Sequence, residues 1–371
     1  MSIYRIFQII FGIVVSVFIL YFLIQYASNY AGFQEDVQRV TILKNLKITA
    51  ESVYTYGNPV VFQDTSLYDF SSCCMQTSKP EPPVIKCSFG EIGPVFVPML
   101  FSGGRGVVVE GSDLNLGWHV MHWVEVMPAS VILFNPLDSS EETWSLMKNL
   151  TSLLPSTENL DEKVTFGFCD GSSLLEDMCG GSCERYSFLS VLDSHQAPSS
   201  KCTRSLGGSY RLVTISGQCS PTFSGQGVCV RPSADGVGVA YLAGSDKEFV
   251  YKDMFDIIAL MIGGSEKDVF GKTKGERLYA YKNEVWKESV SLASQIMKQR
   301  ALLVSSRYQI LNENLECIPV YANLANELNS IFSLVKGDYN NYALMRNLAA
   351  RMKQAGSLYQ NLIDLGCEYY V

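Results

Sequence analysis

Histidine is scarce: only three occur among the 371 residues, which leaves a histidine-based catalytic or metal site few places to form. No Lys- or Arg-rich stretch is present, and the formal net charge is −8. A chain so charged cannot neutralise a phosphate backbone, so nucleic acid is excluded as a partner. The Gly-x-Ser-x-Gly nucleophile elbow is missing. The Gly-rich turns Ser102-Gly103-Gly104-Arg105-Gly106 and Gly236-Val237-Gly238 are followed by no Gly-Lys-Ser/Thr and do not complete a dinucleotide fingerprint, so they read as plain turns. Internal repeats and low-complexity tracts are also absent.

What is present begins with a long apolar run. Ile6–Ile24 reads IFQIIFGIVVSVFILYFLI, without a charge. Nineteen residues of helix at ~1.5 Å each span roughly 28 Å, close to the hydrocarbon thickness of a bilayer. Tyr4, Tyr21, Tyr26 and Tyr30 lie near its two ends, where amphipathic rings favour the interface. A cleaved signal peptide would carry a shorter apolar region and a small-x-small site, and the YASNYAG stretch after Gln25 fits that pattern poorly. Expected are a cytoplasmic tail over 1–5 and a transmembrane helix over 6–26. Arg5 precedes the span, while Glu35, Asp36 and Arg39 follow it, a thin bias toward placing the bulk of the chain outside.

Phe33, Val37, Val40, Leu43 and Leu46 recur at three- and four-residue steps, so the helix is expected to continue as an external stalk over 27–56 until Gly57-Asn58-Pro59. Its apolar stripe needs a partner, either the body or another subunit. From 57 to 270 the text changes to short β-branched and aromatic runs: Val95–Phe101, Gly106–Glu110, Ser130–Phe134, Lys163–Phe168, Tyr210–Ile215 and Gly236–Leu242. Pro98 demotes the first of these to an edge strand. Glu141–Leu154 and Lys252–Ile262 read as helices, the first capped by Ser139 or Ser140. Val131–Phe134, this helix and Val164–Phe168 suggest one βαβ unit. The Gly-, Ser- and Cys-rich stretch 170–208 reads as an irregular insertion.

From 271 to 371 the chain reads as helical. Three stripes stand out: Leu278, Tyr281, Val285, Leu292, Ile296 and Leu303; Tyr321, Leu324, Leu328, Ile331 and Val335; and Leu344, Leu348, Met352, Tyr359 and Leu362. The expected fold class is therefore α+β: a mixed α/β body with an N-terminal transmembrane helix extended into a stalk, and a C-terminal helical hairpin or bundle.

Eleven cysteines are many for this length. Beyond a membrane they are expected to be bridges. Cys317 and Cys367 reach the same end of a hairpin turning at Lys336–Asn341. Cys219 and Cys229 bracket a Gly-rich turn. The connectivity of Cys73, Cys74, Cys87, Cys169, Cys179, Cys183 and Cys202 stays open.

Each chemical alternative meets a simpler reading. Cys169, Cys179, Cys183 and His195 could ligate zinc, but their spacing is not that of a finger, and bridges account for the same residues. His119 and His122, with Glu125 after them, could hold a metal on a helix, but in a strand the two histidines point to opposite faces. Cys169 at a strand end could be a nucleophile, although the histidine base is lacking nearby. Asn149-Leu150-Thr151 is an N-glycosylation acceptor pattern on a predicted helix. No catalytic, metal-binding or cofactor-binding residue is assigned, and no cofactor is expected.

A membrane helix running into a longer external helix and then a globular head is similar in outline to pilin-like subunits and to prokaryotic surface proteins. The pilin processing motif is missing: no Gly-Phe-Thr-type site precedes the apolar run, and Gly32-Phe33 comes after it. The expectation is a non-enzymatic envelope or cell-surface component. Its partners would be the bilayer, through 6–26, and proteins or copies of itself, through the stalk and C-terminal helices. The alternatives are a minor filament or secretion subunit and a membrane-tethered hydrolase or thiol-redox enzyme.

Overall fold

The computed structural model describes residues 3–63, 68–76, 82–128, 130–138, 140–153, 164–168, 210–221, 227–267 and 271–367, without side chains for 1–14 and a few positions beyond. It is a mixed α+β structure. Helix α1 (Ile3–Tyr56) runs 54 residues, about 80 Å at ~1.5 Å per residue. Gly57, with φ 74°, ends it by donating its N–H to Val53 O at 2.8 Å. Among the described residues no helix is long and apolar enough to cross a membrane; the start of the apolar run, before Val15, has no described side chains.

The two ends of α1 differ in kind. Val17 to Ile24 lie exposed on every side of the helix. Leu43, Leu46, Ala50 and Val53 are buried against the body, where α1 meets strands β4 (Gly90–Ile92), β6 (Val107–Asn115) and β7 (Val120–Pro128). The body, not a second subunit, thus covers the distal half of the expected stripe, while Val37 stays exposed.

A four-stranded sheet runs in the order β1 (Val60–Phe62), β6, β7, β5 (Met99–Phe101). Pro98 precedes β5, and β5 lies at the sheet edge, parallel to β7. Alternation along β6 and β7 gives this sheet two apolar faces. Val107, Val109, Val124 and Val126 face α1 and a small sheet of β2 (Cys74–Gln76), β3 (Val84–Cys87) and β4. Met121, Trp123 and Met127 face the main core.

Across that core lies a six-stranded sheet in the order β13 (Glu248–Tyr251), β12 (Gly238–Leu242), β11 (Val228–Arg231), β10 (Tyr210–Ile215), β8 (Ser130–Pro136), β9 (Val164–Phe168). Strands β8 and β9 are parallel and joined through α2 (Glu141–Leu153), the expected βαβ unit. Ser140 Oγ accepts from Thr143 N at 3.3 Å at the start of α2; Ser139 lies outside the described residues. Helix α3 (Met254–Gly263) is buried nearly all round beneath this sheet.

Three long helices complete the chain: α4 (Lys274–Leu311), α5 (Cys317–Leu334) and α6 (Tyr342–Asp364). The predicted stripes of α5 and α6 face the core. That of α4 does so only at its start. Leu278 is buried, but Leu292, Ile296 and Leu303 are exposed, and Trp286, Val290, Met297, Ala301 and Tyr308 form the buried face instead. Along 38 residues two apolar stripes coexist, and α5 selects the one carrying the larger rings.

Helices α3 and α4 meet at backbone distance through glycine. A Cβ on Gly275 would lie 2.7 Å from Leu260 O and 2.9 Å from Gly264 O. Gly275→Ala is therefore expected to destabilise by about 1–3 kcal/mol, read as a lower urea midpoint with an unchanged m-value.

Candidate functional site

The cysteines divide by where they fall. Cys73–Cys87, Cys219–Cys229 and Cys317–Cys367 are disulfide-bonded. Cys74 is the free cysteine among the described residues, and it is half-buried. Cys169, Cys179, Cys183, Cys202 and His195 lie outside the described residues, and with them the zinc and nucleophile readings.

His119 and His122 diverge as strand geometry requires. His119 Nε2 lies 3.2 Å from Ser289 Oγ on α4, and burial, with a smaller push from His122, holds its imidazole below the ordinary range. It belongs to a hairpin tip, with Leu116 N donating to His119 O at 2.8 Å, that ties β6–β7 to the C-terminal helices. His122 faces α1, its Nδ1 2.6 Å from Asp113 Oδ1 and its ring edge-on to Tyr54. Glu125 joins neither histidine. Among the described residues no group of three or more His, Cys, Asp or Glu could hold a metal ion.

Asn149 is exposed on α2, but Thr151 is buried and its hydroxyl donates to Met147 O at 2.8 Å. The acceptor pattern is therefore locked in a helix. The Ser102–Gly106 turn is also structural: Gly104 O accepts from Phe70 N, and Gly106 N donates to Tyr68 O.

No family model, curated protein or solved structure matches this chain. Three local features of the body stand out.

The first is a buried charge cluster that no local pattern in the sequence reveals, because it joins Lys252, Asp253 and Asp256 to Lys282 and Asn283, 26 to 31 positions further on. Lys282 Nζ donates to both oxygens of Asp253 at 2.5 Å and to Asp256 Oδ1 at 3.0 Å. Lys252 Nζ donates to Asp256 Oδ2 at 3.0 Å and to Asn283 Oδ1, with the Trp286 ring 4.4 Å away. Burial pulls Lys252 down to about 8 even though Asp256 opposes it. Burial acts on Lys282 in the same sense, but Asp253 and Asp256 outweigh it and its pKa rises. Two cations and two anions balance, and all four side chains are buried. The cluster is a clamp between the start of α3 and α4.

The second is Glu125, on the same face of β7 as Trp123. It is wholly buried and neither carboxyl oxygen has a hydrogen-bond partner. Burial first, and then the charge of its cross-strand neighbour Glu110, push its pKa well above the ordinary carboxylate value. The folded state thus holds a proton that the unfolded chain releases above pH ~4.5. Its stability is fully present below that value and falls as pH rises toward the folded pKa. Glu125→Met removes the unpaired polar group at similar volume. It is expected to stabilise the protein by about 1–3 kcal/mol at pH 8 and by clearly less at pH 4, measured by urea unfolding at the two pH values.

The third is an open cleft of about 540 Å³ where β1 ends and leaves that edge of β6 unpaired beyond Val109. The last turns of α1 and α2 close its sides. Tyr54, Glu110, Ser112, Asp113, His122 and Trp123 carry its polar and aromatic surface. Ser112 Oγ donates to Leu153 O at 3.2 Å. A Cβ on Gly111 would lie 3.3 Å from Val53 O, so glycine lets the end of α1 approach the strand.

Proposed function

We propose that this chain is a single-pass, membrane-tethered envelope or cell-surface component that acts by binding or assembly, not catalysis. Its N-terminus is cytoplasmic and its bridged α+β body faces an extracytoplasmic, oxidising space. One observation carries the tether: consecutive residues Val17 through Ile24 are all more than half exposed, all round the helix. A protein partner would cover one stripe, whereas lipid covers every side. Residues 6–14 continue the same uncharged text. The three disulfides support the compartment, since such bridges persist where thiols are not kept reduced. The body begins to cover α1 near Arg39, whose guanidinium lies over Phe89 at 5.7 Å. Residues 27–38, about 18 Å of helix at ~1.5 Å each, would hold the body off the bilayer.

The test is extraction of the full chain from membranes at alkaline pH. The native chain is expected in the pellet. Val15→Arg with Phe18→Arg, each arginine costing ~2.5–3.5 kcal/mol at the centre of a span, is expected to move it to the supernatant. A native chain released at alkaline pH would refute the tether.

A further inference from the structure

We infer that the solvent face of α4 pairs with the same face of a second copy of this chain, as a short parallel coiled coil. This rests on the assembly role proposed above and names its partner.

Helix α4 carries two faces with opposite fates. Val290, Ser294, Met297, Ala301 and Tyr308 are buried against the body. On the other side Leu292, Ile296, Gln299, Leu303, Ser306 and Ile310 follow one another at alternating four- and three-residue steps. That is the heptad spacing of a helix seam: Ile296, Leu303 and Ile310 hold one of its two positions, and Leu292, Gln299 and Ser306 hold the other. All six are exposed, Leu303 at 70% and Ile310 at 83%. Leu302 and Leu311, exposed beside the seam, widen the apolar patch. A lone exposed leucine needs no explanation, but a row repeating at helical period marks an interaction face. The fold itself ends the row on both sides. His119 reaches Ser289, one seam position before Leu292, and Asn312, in the left-handed conformation, closes the helix after Ile310.

The composition of the seam selects its occupant. Lipid gains nothing from Gln299 and Ser306 in the middle of an apolar row, whereas a polar layer within a helix pair fixes its register. In a parallel pair each residue meets its own copy. Ile296, Leu303, Ile310 and Leu292 then form apolar layers, and the two Gln299 amides bond each other. Gln295 faces the partner's Arg300, and Leu302 covers the stem of the partner's Arg307, so no like charges are opposed. Isoleucine at the first seam position with leucine at the second also favours two strands. The antiparallel register that overlaps all six layers is worse. It sets Gln299 against the partner's Leu303 and Ile296 against the partner's Ser306, and it brings Arg300 beside its own copy. Polar groups are then buried without partners and like charges repel.

The experiment uses the full chain in detergent micelles, with sedimentation equilibrium reading the mass. The native chain is expected to dimerise. Leu303→Lys with Ile310→Lys, both at exposed positions, is expected to weaken the dimer at least ten-fold while its circular dichroism stays native. Orientation is read by oxidative cross-linking in a Cys74→Ser background, which removes the free thiol among the described residues. Leu292→Cys alone should link to its own copy, and mixing it with Ile310→Cys chains should add no mixed product. A monomeric native chain, an equally tight dimer of the lysine variant, or cross-links only between Leu292→Cys and Ile310→Cys chains would overturn the assignment. Each of those results leaves the alkaline extraction untouched, so failure of the pairing is distinct from failure of the tether.

Discussion

Lys282→Met is expected to destabilise the protein by about 3–5 kcal/mol, the usual cost of removing one partner from a buried ion pair. The lysine side chain is wholly buried, and it is the shared donor to Asp253 and Asp256. Without it the two carboxylates face each other across low-dielectric space with Lys252 alone. Desolvation already pulls Lys252 down to about 8, so it is a poor substitute. Urea unfolding should show a large drop in midpoint. A double variant, Lys282→Met with Asp253→Leu, should recover part of the loss, because it removes one stranded charge and keeps the Lys252–Asp256 pair. If the double variant is no more stable than the single one, the loss comes from packing and the clamp reading fails.

Replacing Cys317 and Cys367 with serine is expected to lower stability by about 4 kcal/mol, since the bridge closes 50 residues and loop-closure entropy of the unfolded chain sets the gain. The bond ties the start of α5 to the end of α6, and both cysteines are buried in the main core. For a chain of this size that loss corresponds to a fall in Tm of about 5 °C, read by calorimetry. The Cys219–Cys229 bridge closes only 10 residues, so its removal should cost clearly less. An equal effect from the two pairs would speak against the entropic account.

Helices dictated by strong local patterns were legible in the sequence. The stripes of α5 and α6, the start of α4 and the β8–α2–β9 unit follow from periodicity and caps alone. The second half of α4 was misread because spacing from Leu278 continues through Leu292 and Leu303, whereas packing favours Trp286 and Tyr308. Strands β1 to β4 are only three or four residues long, and β2 to β4 also include cysteine, glycine or lysine, so they carry no alternation to detect. Strand β7 was obscured by its own chemistry. Trp118, His119, His122 and Trp123 suggested a site, yet the pleat sends the histidines to α4 and α1 separately.

The candidate cleft was illegible for a different reason. It joins Tyr54, Glu110, Asp113 and Leu153, residues that no short motif relates. Only the pairing of β6 with β7 and the docking of two helix ends bring them together. Likewise Glu125 looked like a metal ligand beside His122, but its neighbour in space is Glu110.

The central claim is that a rod of uncharged apolar side chains carries a disulfide-bonded body in an oxidising space. Non-reducing peptide mapping of the full chain, taken from intact cells after blocking free thiols, tests it most directly. Peptides containing Cys73 and Cys87, Cys219 and Cys229, and Cys317 and Cys367 should be recovered as linked pairs. Recovery of those six residues as blocked thiols would contradict the claim.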